Sequence, residues 1–243
     1  MFKNIIKPQY LFLFLAVFLN ACIKNDSSVN NDNNKGDPSP MKKMSYLALG
    51  DSYTIGQSVE VNQRWPVQLV DTLRLSGIGL EGAEIIAQTG WTTGELMQAI
   101  ESADPQGPYD MVSLLIGVNN QYRHLDTGMY RTELRALMET AIQFAGNDAG
   151  RVIIVSIPDY GVTPFAQNMD PDRIAEEINS FNAIKREESE KLGLYFMDVT
   201  LISRMAASDP ELLAEDSLHP SGKMYAEWVK LIFPVAKGIL TNN

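Results

Sequence analysis

The chain is poor in cysteine and histidine, and these shortages exclude several kinds of site. The single cysteine, Cys22, cannot form an internal disulfide or supply a cysteine pair to a metal. The two histidines, His124 and His219, lie far apart in the sequence, and no His-Glu-x-x-His motif occurs, so we predict no metal site. No glycine-rich phosphate-binding motif follows the first apolar run, so we predict no nucleotide cofactor either.

Basic residues are also in the minority. Lys and Arg number 20 against 30 Asp and Glu, which gives a net charge of −10. Proteins that bind nucleic acid usually carry a basic patch, so we predict no nucleic-acid partner. The chain of 243 residues is 45% hydrophobic, which is enough for one sizeable core and favours one folded domain.

The first residues have the pattern of an export signal. Lys3 and Lys7 give a positive start, and the apolar stretch 10–19 is too short to span a bilayer comfortably. The segment ends in Leu-Asn-Ala-Cys at 19–22, which resembles the lipobox of bacterial lipoproteins. The alternative is an ordinary signal peptide that contains a cysteine by chance.

The lipobox resemblance implies a signal peptide over 1–21 and a lipidated Cys22 that anchors the protein to a membrane. Residues 22–43 are rich in Asn, Asp, Ser and Pro, and they have almost nothing to bury, so we predict a disordered tether. Ile23, where an aspartate would signal retention, favours the outer membrane within the cell envelope. The folded domain is predicted at 44–240.

Within that domain, apolar runs alternate with amphipathic stretches. The runs predict strands, and the stretches have helical periodicity. Strands that alternate with helices predict an α/β fold, a three-layer α/β/α sandwich with a mostly parallel sheet of about five strands. The predicted strands are 46–49, 84–87, 111–116, 152–157 and 194–199, and the predicted helices are 66–76, 93–102, 130–145, 172–192 and 220–237.

A serine follows the first predicted strand at the point where a sharp turn is possible. The strand ends in Gly50-Asp51-Ser52, and glycine permits backbone angles that other residues avoid. Ser52 would therefore lie at the carboxyl edge of the sheet, where open α/β sheets bind ligands. A serine nucleophile needs a base and an oxyanion site. The alternative is that Ser52 only caps a helix.

One of the two histidines has a carboxylate close by. Asp216 precedes His219 by three residues, a spacing that can place the carboxylate beside the imidazole and fix its tautomer. The ring would then be free to deprotonate Ser52. On spacing alone, the alternative is equally open: Asp216 closes a turn and His219 caps the last helix.

Candidates for the oxyanion site follow the second and third predicted strands. Gly90 offers a backbone N–H, and Asn119, in Gly117-Val118-Asn119, offers a side-chain amide. Each has a plainer interpretation as a turn residue.

In combination, these motifs resemble one family, the SGNH or GDSL-type hydrolase superfamily, over 46–228. The resemblance implies a flavodoxin-like arrangement of the sheet, Ser52 as nucleophile, His219 as base and Asp216 as its orienting acid. It also implies an oxyanion hole formed by the N–H groups of Ser52 and Gly90 and the side chain of Asn119. Two positions depart from the family pattern: Tyr53 stands where leucine is common, and Asn120 stands where aspartate is common.

The predicted activity is that of a metal-independent serine esterase that works through an acyl-enzyme and needs no cofactor. Its substrate would be a carbohydrate acetyl ester, or a lysophospholipid or other short acyl ester. Four residues beside the oxyanion candidates are predicted substrate contacts: Trp91, Gln121, Tyr122 and Arg123. The alternative hypothesis is a catalytically inactive, surface-anchored binding protein on the same scaffold.

Overall fold

A parallel sheet of five strands forms the centre of the part of the chain that the computed structural model describes, residues 43–241. The predicted signal peptide, Cys22 and the tether up to residue 42 lie outside these described residues. The strands lie in the order β2-β1-β3-β4-β5, and each pairs in parallel with its neighbours. They are β1 (Met44–Gly50), β2 (Leu80–Ala87), β3 (Met111–Leu115), β4 (Val152–Val155) and β5 (Tyr195–Met197).

Helices cover both faces of this sheet, which makes the three-layer α/β/α sandwich predicted from the sequence. The helix α2 packs against α8, whereas α5 packs against α3 and α6. None of the helices in the described region is long and apolar enough to cross a membrane. The helices are α1 (Ser52–Ile55), α2 (Trp65–Leu75), α3 (Thr93–Ala103), α4 (Val118–Tyr122), α5 (Thr127–Phe144), α6 (Pro171–Leu192), α7 (Thr200–Arg204) and α8 (Gly222–Thr241).

The central strands are apolar along their whole length because helices cover both of their sides. Every residue of β3 and β4 is buried. Parallel sheets with two covered faces have such continuous apolar runs in place of an alternating pattern. This is why the sequence locates these strands well.

The prediction missed the short helices α1, α4 and α7, which contain only four or five residues each. Helices of this length are too short to show an amphipathic period. The edge strand β2 begins at Leu80, four residues before the predicted start. Its first half contains the exposed Glu81 and the small Gly82, so its sequence lacks the apolar character of an inner strand.

Candidate active site

The sheet topology brings four loops together at one edge. Ser52 follows β1, Gly90 follows β2, Asn119 follows β3, and two 3₁₀ turns at Tyr160–Val162 and Pro164–Ala166 follow β4. All strands are parallel, so these loops share the carboxyl edge. The chain order reverses between β1 and β3, and such switch points open the crevice where α/β proteins bind ligands.

Ser52 is held at this edge by a turn that has no room for a side chain at Gly50. A Cβ atom on Gly50 would lie 2.4 Å from the carbonyl oxygen of Leu115 and 2.2 Å from Oγ1 of Thr54. The following Asp51 caps α1, because its Oδ1 accepts a hydrogen bond of 3.0 Å from the N–H of Tyr53. Ser52 is the first residue of α1, a position whose N–H has no acceptor within the helix.

The loop before α8 places a carboxylate against an imidazole. Oδ1 of Asp216 accepts bonds from the N–H groups of Leu218 (3.0 Å) and His219 (2.9 Å), and Oδ2 lies 2.6 Å from Nδ1 of His219. Asp216 therefore both closes a turn and contacts the ring. The helix cap is another residue: the hydroxyl of Ser221 accepts from the N–H of Met224 at 3.4 Å.

A further donor to this carboxylate, Ser58, was not predicted. The hydroxyl of Ser58, 158 residues away in sequence, donates to Oδ2 of Asp216 at 2.6 Å. Burial alone would raise the pKa of Asp216, but the hydrogen bonds from Ser58, His219 and Leu218 outweigh burial and lower this pKa to about 2. The carboxylate is thus ionised and only accepts, so Nδ1 of His219 carries the proton and Nε2 is left as a base.

The turns that carry Gly90 and Asn119 are tied to their surroundings by side chains. Nη2 of Arg123 donates to the carbonyl of Gly90 at 2.6 Å, and Nη1 lies 3.3 Å from the carboxylate of Glu95. Nδ2 of Asn119 donates to the carbonyl of Trp91 at 2.9 Å. A primary amide has two N–H donors, so this bond leaves one for a ligand.

Asn120, which stands where aspartate is common in the family, forms buried hydrogen bonds within the protein. It is fully buried, its Oδ1 accepts from the N–H of Thr93 at 3.0 Å, and its Nδ2 donates to Oγ1 of Thr93 at 2.6 Å. Thr93 in turn donates to the carboxylate of Glu133. An ionised aspartate at position 120 could not donate to Thr93, so the amide suits this neighbourhood.

A cavity of about 140 Å³ brings the predicted residues together: Ser52, Gly90, Asn119 and His219 all line it. Its opposite wall is aromatic and consists of Tyr122, Tyr160 and Phe165, whose ring centroids are 6.0–6.4 Å apart. Tyr160 and Phe165 were not predicted, although their place just after the fourth strand was a usable signal.

Of the four predicted substrate contacts, the structure places only Tyr122 in the wall of this cavity. Gln121 is buried and donates to Glu177 at 2.7 Å. Arg123 braces the turn at Gly90, and the carbonyl of Trp91 holds the side chain of Asn119. Substrate contacts of these three residues stay a prediction, and Gln121 lines a neighbouring cavity.

The residue before Ser52, Asp51, is one of two buried titratable groups that influence each other's charge. Asp51 and Lys185 are both fully buried, and Nζ of Lys185 donates to the carbonyls of Ile116 (2.8 Å) and Val155 (2.9 Å) at the ends of β3 and β4. Burial raises the pKa of Asp51, against the opposing effects of the Tyr53 N–H and the charge of Lys185. Burial likewise lowers the pKa of Lys185, against the charge of Asp51.

Lys185 was missed, although the sequence carried a signal for it. Residues 174, 178, 181 and 185 recur at helical spacing, and the first three are Ile, Ile and Phe. A lysine on that face is directed into the core.

A family model described as the GDSL-like lipase/acylhydrolase family matches residues 48–227. No curated protein sequence matches the chain.

Three solved structures illustrate the likeness in fold. TesA covers 81% of this chain and 100% of its own, with a TM-score of 0.65 and 15% identity. The psychrotrophic esterase EstA from Pseudoalteromonas sp. covers 83% and 100%, with a TM-score of 0.64 and 20% identity. Axe2, an acetylxylan esterase from Geobacillus stearothermophilus, covers 79% and 94%, with a TM-score of 0.59 and 18% identity.

Proposed function

Because this chain belongs to the GDSL-like lipase/acylhydrolase family and is an ester-hydrolysing enzyme of the SGNH type, we propose that it is a metal-independent serine esterase with Ser52 as its nucleophile. The observation that supports this most is the pairing of His219 with an ionised Asp216 at 2.6 Å, in a loop whose histidine shares one cavity with Ser52. In this proposal Asp216 holds the proton on Nδ1, and Nε2 accepts the proton of Ser52.

The reaction has two halves. Oγ of Ser52 bonds to the ester carbonyl carbon while His219 takes the hydroxyl proton. The carbon–oxygen bond to the alcohol then breaks, and His219 gives the proton to the leaving oxygen. A water molecule repeats the attack on the acyl-enzyme, which releases the acid and restores Ser52.

The negative oxygen that forms in each half needs donors. We assign these to the N–H groups of Ser52 and Gly90 and to the second amide hydrogen of Asn119. Each of these residues lines the cavity. Donors fixed in advance stabilise charge in the transition state without reorganisation, so the hydrogen bonds that hold Asn119 and Gly90 also support catalysis.

The size of the cavity favours a short acyl group. About 140 Å³ bounded by Tyr122, Tyr160 and Phe165 suits an acetyl or similarly small chain. Carbohydrate acetyl esters and short-chain lipid esters both satisfy this condition.

The test is active-site labelling followed by an ester series. A fluorophosphonate probe should label the wild-type protein at Ser52, and Ser52→Ala should be unlabelled and inactive on p-nitrophenyl acetate. The matched pair His219→Ala and His124→Ala separates base from bystander: the first should abolish most turnover, and the second should keep a substantial part. An unlabelled wild type that hydrolyses none of the esters from acetate to decanoate would instead favour the inactive binding protein.

The oxyanion assignment has its own matched pair. Asn119→Ala should lower kcat by about 10²–10³-fold with little change in KM, because the donor acts as charge develops. Asn120→Ala should mainly lower the melting temperature, because its amide holds the start of α3. A silent Asn119→Ala variant would require the donor to be reassigned.

We further propose that lipidated Cys22 anchors the enzyme to the cell envelope, at the outer membrane. Cys22→Ser should move the protein to the soluble fraction and leave its specific activity unchanged. A variant that stays in the membrane fraction would rule out this anchor.

A further inference from the structure

A second cavity, of about 410 Å³, lies directly beside the one that contains Ser52. The two cavities share Tyr122 and Tyr160, whose ring centroids are 6.0 Å apart. The two cavities are therefore adjacent, and these two rings belong to the lining of both.

The lining of the second cavity is mixed: Met169, Ile174 and the two tyrosine rings are apolar, and the other side chains are polar or charged. Asp170, Arg173 and Glu177 come from the start of α6, and His124 comes from the turn after α4. Nε of Arg173 donates to Oε1 of Glu177 at 2.8 Å, and Nδ1 of His124 lies 3.7 Å from Oε2 of Glu177. The guanidinium carries four further N–H donors, and the side chain of Arg173 is 64% exposed.

The charged part of this lining is unsuited to a long acyl chain. Methylene groups laid over Arg173 and Glu177 would remove water from charged groups and offer no hydrogen bonds in return, which is costly. A sugar ring is a better match, because its hydroxyls both donate and accept. Its apolar face can also pack on Tyr122, which is 45% exposed.

We propose that the second cavity binds the alcohol part of the ester, and that this alcohol is a carbohydrate. The inference rests on the proposed function and deepens it: the acyl group occupies the smaller cavity at Ser52, and the saccharide occupies the larger one. The sugar hydroxyl departs with the proton that His219 took from Ser52. The physiological substrate is then a saccharide that carries short acyl groups.

The test compares two acetyl esters whose alcohols differ. p-Nitrophenyl acetate presents a flat aromatic alcohol that does not need the polar wall, whereas acetylated xylo-oligosaccharides and peracetylated glucose present sugar rings. The measured quantity is the ratio of kcat/KM on the sugar esters to kcat/KM on the aryl ester. Arg173→Ala should lower this ratio at least tenfold, mainly through KM. The matched control is Arg186→Ala on the same helix, whose guanidinium pairs with Asp198 away from both cavities.

Three outcomes would overturn the inference. The ratio could stay at the wild-type value in Arg173→Ala, or fall equally in Arg186→Ala. The wild type could also prefer a decanoyl ester to an acetyl ester. Failure of the inference is distinguishable from failure of the proposed function: an enzyme that is labelled at Ser52 and hydrolyses p-nitrophenyl acetate, but none of the sugar esters, keeps the function and loses the carbohydrate.

Discussion

Two aspartates flank the reactive centre, and their surroundings differ in almost every respect. Asp216, in the loop before α8, is here called the rim aspartate. Its side chain is 29% exposed and accepts hydrogen bonds from Ser58, Leu218 and His219. Asp51, which precedes Ser52, is here called the floor aspartate. It is fully buried, and its Oδ2 has no hydrogen-bond partner among the described residues. Hydrogen bonds lower the pKa of the first carboxyl to about 2, whereas burial raises the pKa of the second.

The difference shows what each carboxylate contributes. Several donors fix Asp216 in one ionised state, as is needed to orient a catalytic imidazole. The charge of Asp51 instead depends on Lys185, which also holds the carbonyl of Ile116 just before Gly117. We therefore expect the rim aspartate to govern turnover and the floor pair to govern stability.

The largest expected effect comes from removing the negative charge of the rim aspartate. Asp216→Asn should lower kcat by about 10³–10⁴-fold, because an amide can favour the wrong tautomer of His219. Far-UV circular dichroism should stay close to wild type, and the melting temperature should fall only modestly, because the lowered pKa of Asp216 contributes stability at neutral pH. A loss below tenfold would mean that Asp216 only closes the turn.

The second effect concerns the floor pair, Asp51 and Lys185. Lys185→Met should destabilise the fold, because the buried carbonyls of Ile116 and Val155 lose their donor, at a cost of about 1–3 kcal/mol for each group left unpaired. Ionised Asp51 also loses the charge that favours it. Urea unfolding measures this loss. The double variant Asp51→Asn with Lys185→Met should recover part of it, since no buried charge remains at the pair. Equal stability of Lys185→Met and wild type would contradict the pairing.

The third effect is that the contributions of Asp216 and Asp51 to folding stability change with pH in opposite directions. The pKa of Asp216 is lowered on folding, so its contribution to stability is present above about pH 4 and is lost as the pH falls towards 2. The pKa of Asp51 is raised on folding, so its contribution is present below about pH 4 and is lost as the pH rises.

Urea unfolding across this pH range separates the two groups. The stability difference between wild type and Asp216→Asn should grow from pH 2 to 4, and that between wild type and Asp51→Asn should decline above pH 4. Slopes of the same sign would refute the comparison.

The smallest effect tests Ser58, which donates to the rim aspartate. Ser58→Ala should lower kcat/KM by about twofold to tenfold, because one hydrogen bond to an exposed edge of a charged group is lost while the others remain. Ser58→Asn, which keeps a hydrogen-bond donor and tolerates the positive φ of 65° at this position, serves as the control. A loss as large as that of Asp216→Asn would give Ser58 a more direct part in the reaction.

The sequence predicts the residues in the loops at the sheet edge better than the buried residues behind them. Strand ends and short spacings such as Asp216 to His219 are local, and a parallel sheet converts chain order into proximity at one edge. The alignment of Ser52, Gly90 and Asn119 was predictable for that reason. The family and the fold are accordingly those expected from the sequence.

Contacts that depend on tertiary packing were not accessible in the same way. Nothing local indicates that Ser58 will meet a carboxylate 158 residues away, or that Arg123 will donate to the backbone of Gly90. Both bonds depend on how the loops fold over the sheet edge. Lys185 was the exception, because its place on the apolar face of α6 was visible in the sequence.

Anyone who redesigns this enzyme by randomising positions near Ser52, the proposed nucleophile, should leave Gly50 out of the library. A side chain there would meet the backbone of β3, 2.4 Å from the oxygen of Leu115, so nearly every clone with a substitution at this position would be lost. Tyr122, at the end of α4, and Phe165, in a 3₁₀ turn, are 45% and 42% exposed and line the cavity next to Ser52. Variation is best concentrated at these two positions, where new shapes can be sampled without moving the strand that carries the serine.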